Sequence, residues 1–490
     1  MPGDRSRHVA VALPRRAHAQ DFAGTLADEG LVSPTKIGAI GGSYGGGMSM
    51  ALGALKDRQM KPDGSLVPWT SPHGTPMSIA AAAPEVPWTD LAYALTPNGS
   101  TLDYVSDAAY AGRIGVYKSS FVTGLYVLGC VISGRCVAKG GDPAADITSW
   151  NKRINAGEPY DGDPTVTAIL DEIKAHHSSY YIDHSEPPAA MFISNGWTDD
   201  LFPADEAIRF YNRTKSEHPD APVALFFLDY GHMRGQNKAA DIVLLAAAEE
   251  AWLDYYVKGV GSLPFQGVET LTQTCPGTAP SAGPYMADDW AQISKGEVRF
   301  KAAAAKTIMP TAGDAAIGRT FDPVTGPGAC AQAAGDDQPG TATYRLPVVT
   351  GDGYTLMGAA TVQADFKLTD TNSQVAARLL DVGPDGKETL VARGIWRPKT
   401  APGFVRQVFQ LHPNGWHFVA GHIAKLELLP SDAPYGRPSD GQQAVVVKKL
   451  RLTLPVLEEP RRVVKQTSRK VVPKGYELAP EFRKKRHGKA

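Results

Sequence analysis

The chain has 490 residues, 43% of them hydrophobic and 21% charged, with a formal net charge of −1. That length supplies two or three cores of ordinary domain size, and the balanced charge argues against a nucleic-acid partner or an anionic membrane surface. No window approaches the roughly 18 uninterrupted apolar residues of a membrane-spanning helix, and the opening MPGDRSRHVAVALPRRAHAQ, broken by Arg and Pro, lacks the apolar stretch of a signal peptide.

HVAVALP (8–14) reads as one strand, and AQDFAGTLADEGL as a helix leading into a second strand, KIGAIGG. A helix, GGMSMALGALKDR, follows directly. MSIAAAAP, PAAMFISNGW and PVALFFLDYGH are apolar runs bounded by Pro and Gly, the mark of strands buried on both faces. PADEAIRFYNRTKSE and AADIVLLAAAEEAWLDYYVKG have helical length and lie between or after them. This alternation predicts a mostly parallel α/β sheet covered on both faces over residues 1–261. Between 96 and 184 the rhythm stops. That stretch, with AILDEIKAHHSSYYI as its clearest helix, reads as an insertion above the sheet.

From 262 to 459 the texture becomes strand-like runs separated by turn signals, with GPDG (383–386) placing Pro and Gly where a turn wants them. Leu450, Leu452, Leu454 and Val456 alternate with other residues as in a strand with one buried face. The expectation is an all-β sandwich. Residues 460–490 are strongly basic and read as a solvated, disordered tail; a nucleic-acid arm is the weaker alternative. Four cysteines fall as Cys130 with Cys136 and Cys275 with Cys330. Pairing within each region would give two disulfides and favour an extracytoplasmic location, against an alternative of four free thiols.

Gly41-Gly42-Ser43-Tyr44-Gly45 stands between a buried strand and a helix. A serine hydroxyl attacks a carbonyl only when a base takes its proton and a sharp turn lifts it off the sheet, and G-x-S-x-G between strand and helix provides that turn. Gly41 and Gly45 are expected where side chains would collide, and the Tyr44 N–H is expected to face a developing oxyanion. The partners follow in the order nucleophile, acid, base: Asp199 directly after AAMFIS, His232 directly after VALFFL. Asp199 is chosen over Asp200, which can cap the following helix. His176, His177 and His184 lack the Cys or carboxylate spacing of a metal site. No phosphate loop or dinucleotide fingerprint occurs, so no cofactor or metal is expected.

IGGSYGG, NGWTDDLFP and DYGH, followed by a β-rich second half, resemble the cocaine esterase and Xaa-Pro dipeptidyl-peptidase (CocE/NonD) family of α/β-hydrolases. AARLLDVGPDGKETLVARGIWR and GWHFVAGHIAKLELLPSDAPYGRPSDG are similar to the jelly roll that follows the hydrolase domain in that family. The resemblance implies Ser43 as nucleophile, Asp199 as acid, His232 as base, a helical cap over about 96–184 and an acyl-enzyme route without cofactor. Its substrates would be short peptides or small esters. The first reading is an Xaa-Pro dipeptidyl-peptidase-like peptidase. The alternatives are a cocaine-esterase-type carboxylic ester hydrolase, or a catalytically impaired relative whose sandwich binds a partner; a homo-oligomer is left open. Glu85, Asp90 and Asp103 are candidates for holding a substrate amine, and Trp88 for lining the acyl pocket or the core. Members of this family carry several strands before the elbow, whereas 42 residues precede Ser43 here. The sheet is therefore expected to lack one flank, as in an N-terminally truncated relative.

Overall fold

The computed structural model describes residues 15–61, 63–99, 114–136, 145–460 and 467–468. The expected strand at 8–14, the candidate Asp103 and all of the basic tail except Pro460, Thr467 and Ser468 lie outside them.

Helix α1 (Arg15–Asp28) leads into strand β1 (Ile37–Gly42), and α2 (Tyr44–Leu55) leaves it after a single residue, Ser43. Strands β2 (Ile79–Glu85), β3 (Ala190–Gly196), β4 (Val223–Leu228), β5 (Val268–Thr270) and β6 (Tyr285–Ala287) complete a six-stranded sheet in sequence order. All its pairings are parallel except the last, β5 with β6. Strands β5 and β6 lie beyond Gly261, and we propose that the junction between the two halves falls at 288–295.

The continuous apolar runs have a simple cause. In β4, Val223, Leu225 and Phe227 enter one core layer while Ala224, Phe226 and Leu228 enter another, because successive strand residues point to opposite faces and both faces are covered. Between β2 and β3 lie α3 (Leu91–Leu95), α4 (Ser119–Tyr126), α5 (Ile147–Asn155) and α6 (Pro164–His176). Helix α7 (Asp205–Glu217) connects β3 to β4, and α8 (Ala239–Leu253) follows β4. Strand β1 ends the sheet, and among the described residues it pairs with β2 alone, leaving Ile40 57% exposed along that edge. Among the described residues no helix is long and apolar enough to cross a membrane.

The second half is a sandwich of two antiparallel sheets. One has five strands, β7 (Gln332–Ala334), β8 (Ala342–Arg345), β9 (Val375–Val382), β10 (Lys387–Trp396) and β11 (Ile423–Leu429), in the order β7-β10-β9-β11-β8. The other is built around Val445–Val456, which pairs with Gly296–Ala302 and Thr361–Leu368. Leu450, Leu452, Leu454 and Val456 project into the core between the sheets, against Leu379, Val391 and Leu426. GPDG closes the β9–β10 hairpin, with Gly386 at φ 75°. Cys130 is bonded to Cys136 and Cys275 to Cys330, the pairing within each region. Thr467 and Ser468 pair with Gly296–Ala302.

Candidate active site

Ser43 occupies the one-residue turn between β1 and α2 with φ 59° and ψ −121°, a left-handed φ that a non-glycine residue adopts at a cost. The turn is held by the Ser43 N–H, which donates to the Glu85 carbonyl at 3.0 Å, and by the Gly47 N–H, which donates to the Ser43 carbonyl at 3.1 Å. Close approach explains the glycines, though not all of those expected. A Cβ on Gly41 would lie 2.8 Å from the Gly45 carbonyl, and one on Gly46 would lie 2.2 Å from the Glu85 carbonyl. A Cβ on Gly45 would meet nothing within 4 Å, so the crowding expected at Gly45 falls instead on Gly46 and Gly47.

Asp199 and His232 sit on the loops that leave β3 and β4. Those loops touch because residue 231 is glycine. Its φ is 137°, and a Cβ there would stand 2.6 Å from the Asp199 Cβ. His232 Nε2 lies 2.6 Å from Ser43 Oγ, and His232 Nδ1 lies 2.6 Å from Asp199 Oδ2. The other carboxylate oxygen, Asp199 Oδ1, accepts the N–H groups of Leu201 and Phe202, each at 2.9 Å. The structure thus brings together Ser43, His232 and Asp199, three residues separated by long stretches of chain. The Asp199 side chain is 0% exposed and that of His232 18%, and Ser43 is half-buried. Burial pulls the imidazole pKa down, but the charge and hydrogen bond of Asp199 outweigh it and leave His232 above its ordinary 6.5. Phe202 stands edge-on to the imidazole at 5.2 Å, restricting its rotation.

Tyr44 opens α2, so its N–H lies at the helix end that carries positive partial charge, beside the serine hydroxyl. Its phenol reaches His177 Nε2 at 2.9 Å, and the Tyr44, Trp88 and His177 rings form a triangle with centroids 5.8 to 5.9 Å apart. Trp88 is fully buried, and a Cβ on Gly47 would strike its ring, so it fills the core beneath α2. The neighbouring histidines have separate tasks: His176 pairs with Glu172 at 3.2 Å and His184 faces the Ser179 carbonyl at 3.2 Å.

Two of the amine-binding candidates are engaged elsewhere. Asp90 caps α3, accepting the Ala92 and Tyr93 N–H groups, and burial with the nearby Glu206 charge raises it to about 6. Glu85 Oε2 accepts the Tyr230 hydroxyl at 2.9 Å, joining the elbow side of the sheet to the histidine loop.

Asp200 differs from expectation. It caps no helix. It is buried against Arg234, with Oδ2 2.7 Å from Nε and Oδ1 3.1 Å from Nη2, and against Arg393 of the sandwich at 3.2 Å. The fully buried Lys118, with its amine lowered to about 8 by desolvation despite four nearby carboxylates, donates to the carbonyls of Asp200 and Leu201 at 2.7 and 2.9 Å. The sequence carries no local sign of either role, since every partner is distant along the chain.

No family model matches this chain, and no curated protein matches it. Solved structures do. An aminopeptidase from the marine sediment archaeon Thaumarchaeota archaeon superposes with a TM-score of 0.57 at 14% identity, over 91% of this chain and 80% of its own. An alpha-amino acid ester hydrolase gives 0.53 at 14% identity, over 92% and 80%. A CocE/NonD family hydrolase from Staphylococcus aureus gives 0.49 at 10% identity, over 78% and 68%. The first two likenesses span both halves of the molecule, and the chain has their fold: an α/β-hydrolase sheet followed by a β-sandwich.

Proposed function

We propose that this chain is a serine hydrolase working through an acyl-enzyme, with Ser43 as nucleophile, His232 as general base and acid, and Asp199 as the carboxylate that holds the imidazole. The observation that carries the proposal is the unbroken line Ser43 Oγ, His232 Nε2, His232 Nδ1, Asp199 Oδ2, with 2.6 Å at both hydrogen bonds. Ser43 Oγ attacks a carbonyl carbon as its proton passes to Nε2, and the resulting oxyanion faces the Tyr44 N–H. His232 returns the proton to the leaving amine or alkoxide. Water then attacks the acyl-serine, giving a proton to Nε2, and Ser43 regains it as the acid departs. Asp199 stays ionised throughout, keeping Nδ1–H pointed at itself and Nε2 at Ser43.

The neighbouring folds are named for an aminopeptidase and an alpha-amino acid ester hydrolase, and amino-acid acyl groups are common to both names. On that basis the substrate is a short peptide or a small amino-acid ester, with an Xaa-Pro dipeptidyl-peptidase-like activity as the first reading and carboxylic ester hydrolysis as the second. The two disulfides favour an extracytoplasmic setting. A panel of Xaa-Pro anilides, single aminoacyl anilides, amino-acid methyl esters and unsubstituted acyl esters, each read against Ser43→Ala, tests this. Turnover of the Xaa-Pro anilides supports the peptidase reading, and turnover confined to esters supports the second. No turnover of any member by folded protein contradicts both.

A further inference from the structure

A row of buried, alternating acids and bases runs through the five-stranded sheet and ends at the loop carrying Asp199. Glu388 on β10 meets Lys425 on β11; Lys425 lies 3.9 Å from Glu427, and Glu427 lies 3.6 Å from Arg378 on β9. Arg378 pairs with Asp432, Asp432 with Arg393 on β10 at 3.1 Å, and Arg393 with Asp200 at 3.2 Å. Arg234, two residues past His232, closes the row on Asp200. The paired side chains are between 0 and 3% exposed throughout.

We propose that the sandwich completes the active site through this row, with Arg393 and Asp200 as positioning residues for Asp199. The inference rests on the triad reading above. The mechanical link is short. Asp199 Oδ1 is oriented by the N–H groups of Leu201 and Phe202, and the segment 200–202 has few ways to move. The Asp200 carboxylate is clamped between Arg234 and Arg393. Its carbonyl accepts from Lys118 Nζ and, at 3.3 Å, from the Tyr435 hydroxyl. Arg393 is itself fixed, donating from Nη2 to the Phe321 carbonyl at 2.9 Å and lying over the Tyr435 ring at 4.3 Å. A shift of Asp200 therefore tilts the two amides that aim Asp199, and with them the imidazole. Displacements of this kind, of about 1 Å, can cost on the order of a hundredfold in rate without any change in the reacting groups.

Arg393→Met is the sharpest variant, because Asp200 keeps Arg234 and Asp432 keeps Arg378. The full chain is labelled with a fluorophosphonate ester, separating the maximal rate at Ser43 from the half-saturating probe concentration. The low-field proton resonance of the His232 Nδ1–H is recorded on the same samples. The expected result is a maximal rate lowered about tenfold or more, a half-saturating concentration unchanged within about twofold, and a low-field resonance shifted or broadened. A folded Arg393→Met chain with the wild-type maximal rate and resonance overturns the proposal. Should that variant not fold, Arg393→Lys carries the test, since it keeps the charge but not the forked contacts; a lowered maximal rate supports positioning and an unchanged one overturns it. If the wild type does not label, the triad reading has failed, and the resonance alone decides the link: its change in the variant supports it, its constancy rejects it.

Discussion

The mouth of the first sheet and the seam between the two halves both gather charged side chains, and they treat them in opposite ways. At the mouth the Asp199 side chain is 0% exposed, while His232 at 18% and the half-buried Ser43 are partly open to solvent, so the end of the line away from Asp199 is the one that can be reached from outside. At the seam, Arg393 and Asp432 are 0% exposed and each acid is hemmed by bases. Charges fixed in that way are ill suited to proton transfer, since neutralising any one leaves the charges around it less compensated in a poorly polarisable interior. Asp199 and Asp200 are adjacent in the chain and fall on the two sides of this divide. What separates them is the surroundings that the fold brings to each.

Substitutions at the mouth and at the seam should fail in different ways. The largest effect belongs to the mouth. Ser43→Ala or His232→Ala should lower kcat by about 10⁶ while leaving the thermal midpoint nearly unchanged, because residues acting as one unit fail together; steady-state kinetics and calorimetry on the same samples read both. Asp199→Asn should cost about 10⁴ in kcat. His232 must be neutral to accept the serine proton. The wild-type kcat/KM should therefore rise with pH through a midpoint above 6.5, and the Asn variant, having lost the charge that raises His232, should move that midpoint down.

At the seam the effect should fall on stability. Asp432→Ala leaves Arg378 and Arg393 facing each other without their shared carboxylate, and should destabilise the chain by about 3–5 kcal/mol in urea unfolding. The smallest effect concerns Glu249 on α8, raised from 4.5 to about 8 by burial and by the Glu85 charge. A carboxyl whose folded pKa lies above its unfolded one stabilises the fold below 4.5 and loses that contribution as pH rises towards about 8. Glu249→Gln should therefore be worth about 1 kcal/mol at pH 9 after allowance for solvent access, and nearly nothing at pH 4. Unfolding curves at the two pH values check it.

The face that carries the candidate site is legible in the sequence for a physical reason. A parallel sheet places its functional loops at strand ends, and strands as apolar as VALFFL announce where those ends are. Ser43, Asp199 and His232 are candidates picked by position along the chain, each shortly after a strand, and the structure places their side chains within hydrogen-bond reach of one another. Two features escaped. Strands of three residues, Val268–Thr270 and Tyr285–Ala287, are too short to show a period, so the first sheet extends further along the chain than its texture suggests. Asp200 looked like a helix cap because its real partners lie 34 and 193 positions away, where local reading cannot reach. The glycines are legible as a group, but which of them are crowded depends on the path of β2 against α2, and that path brings the Glu85 carbonyl to Gly46 and leaves Gly45 open.

The central claim is that Ser43 is activated by His232. Labelling the purified chain with a fluorophosphonate probe, with the modified peptide located by mass spectrometry and Ser43→Ala and His232→Ala run alongside, tests it most directly. Stoichiometric modification of Ser43, abolished in both variants, is the expected result. A folded wild-type chain that stays unmodified, or one labelled equally well without His232, would contradict it.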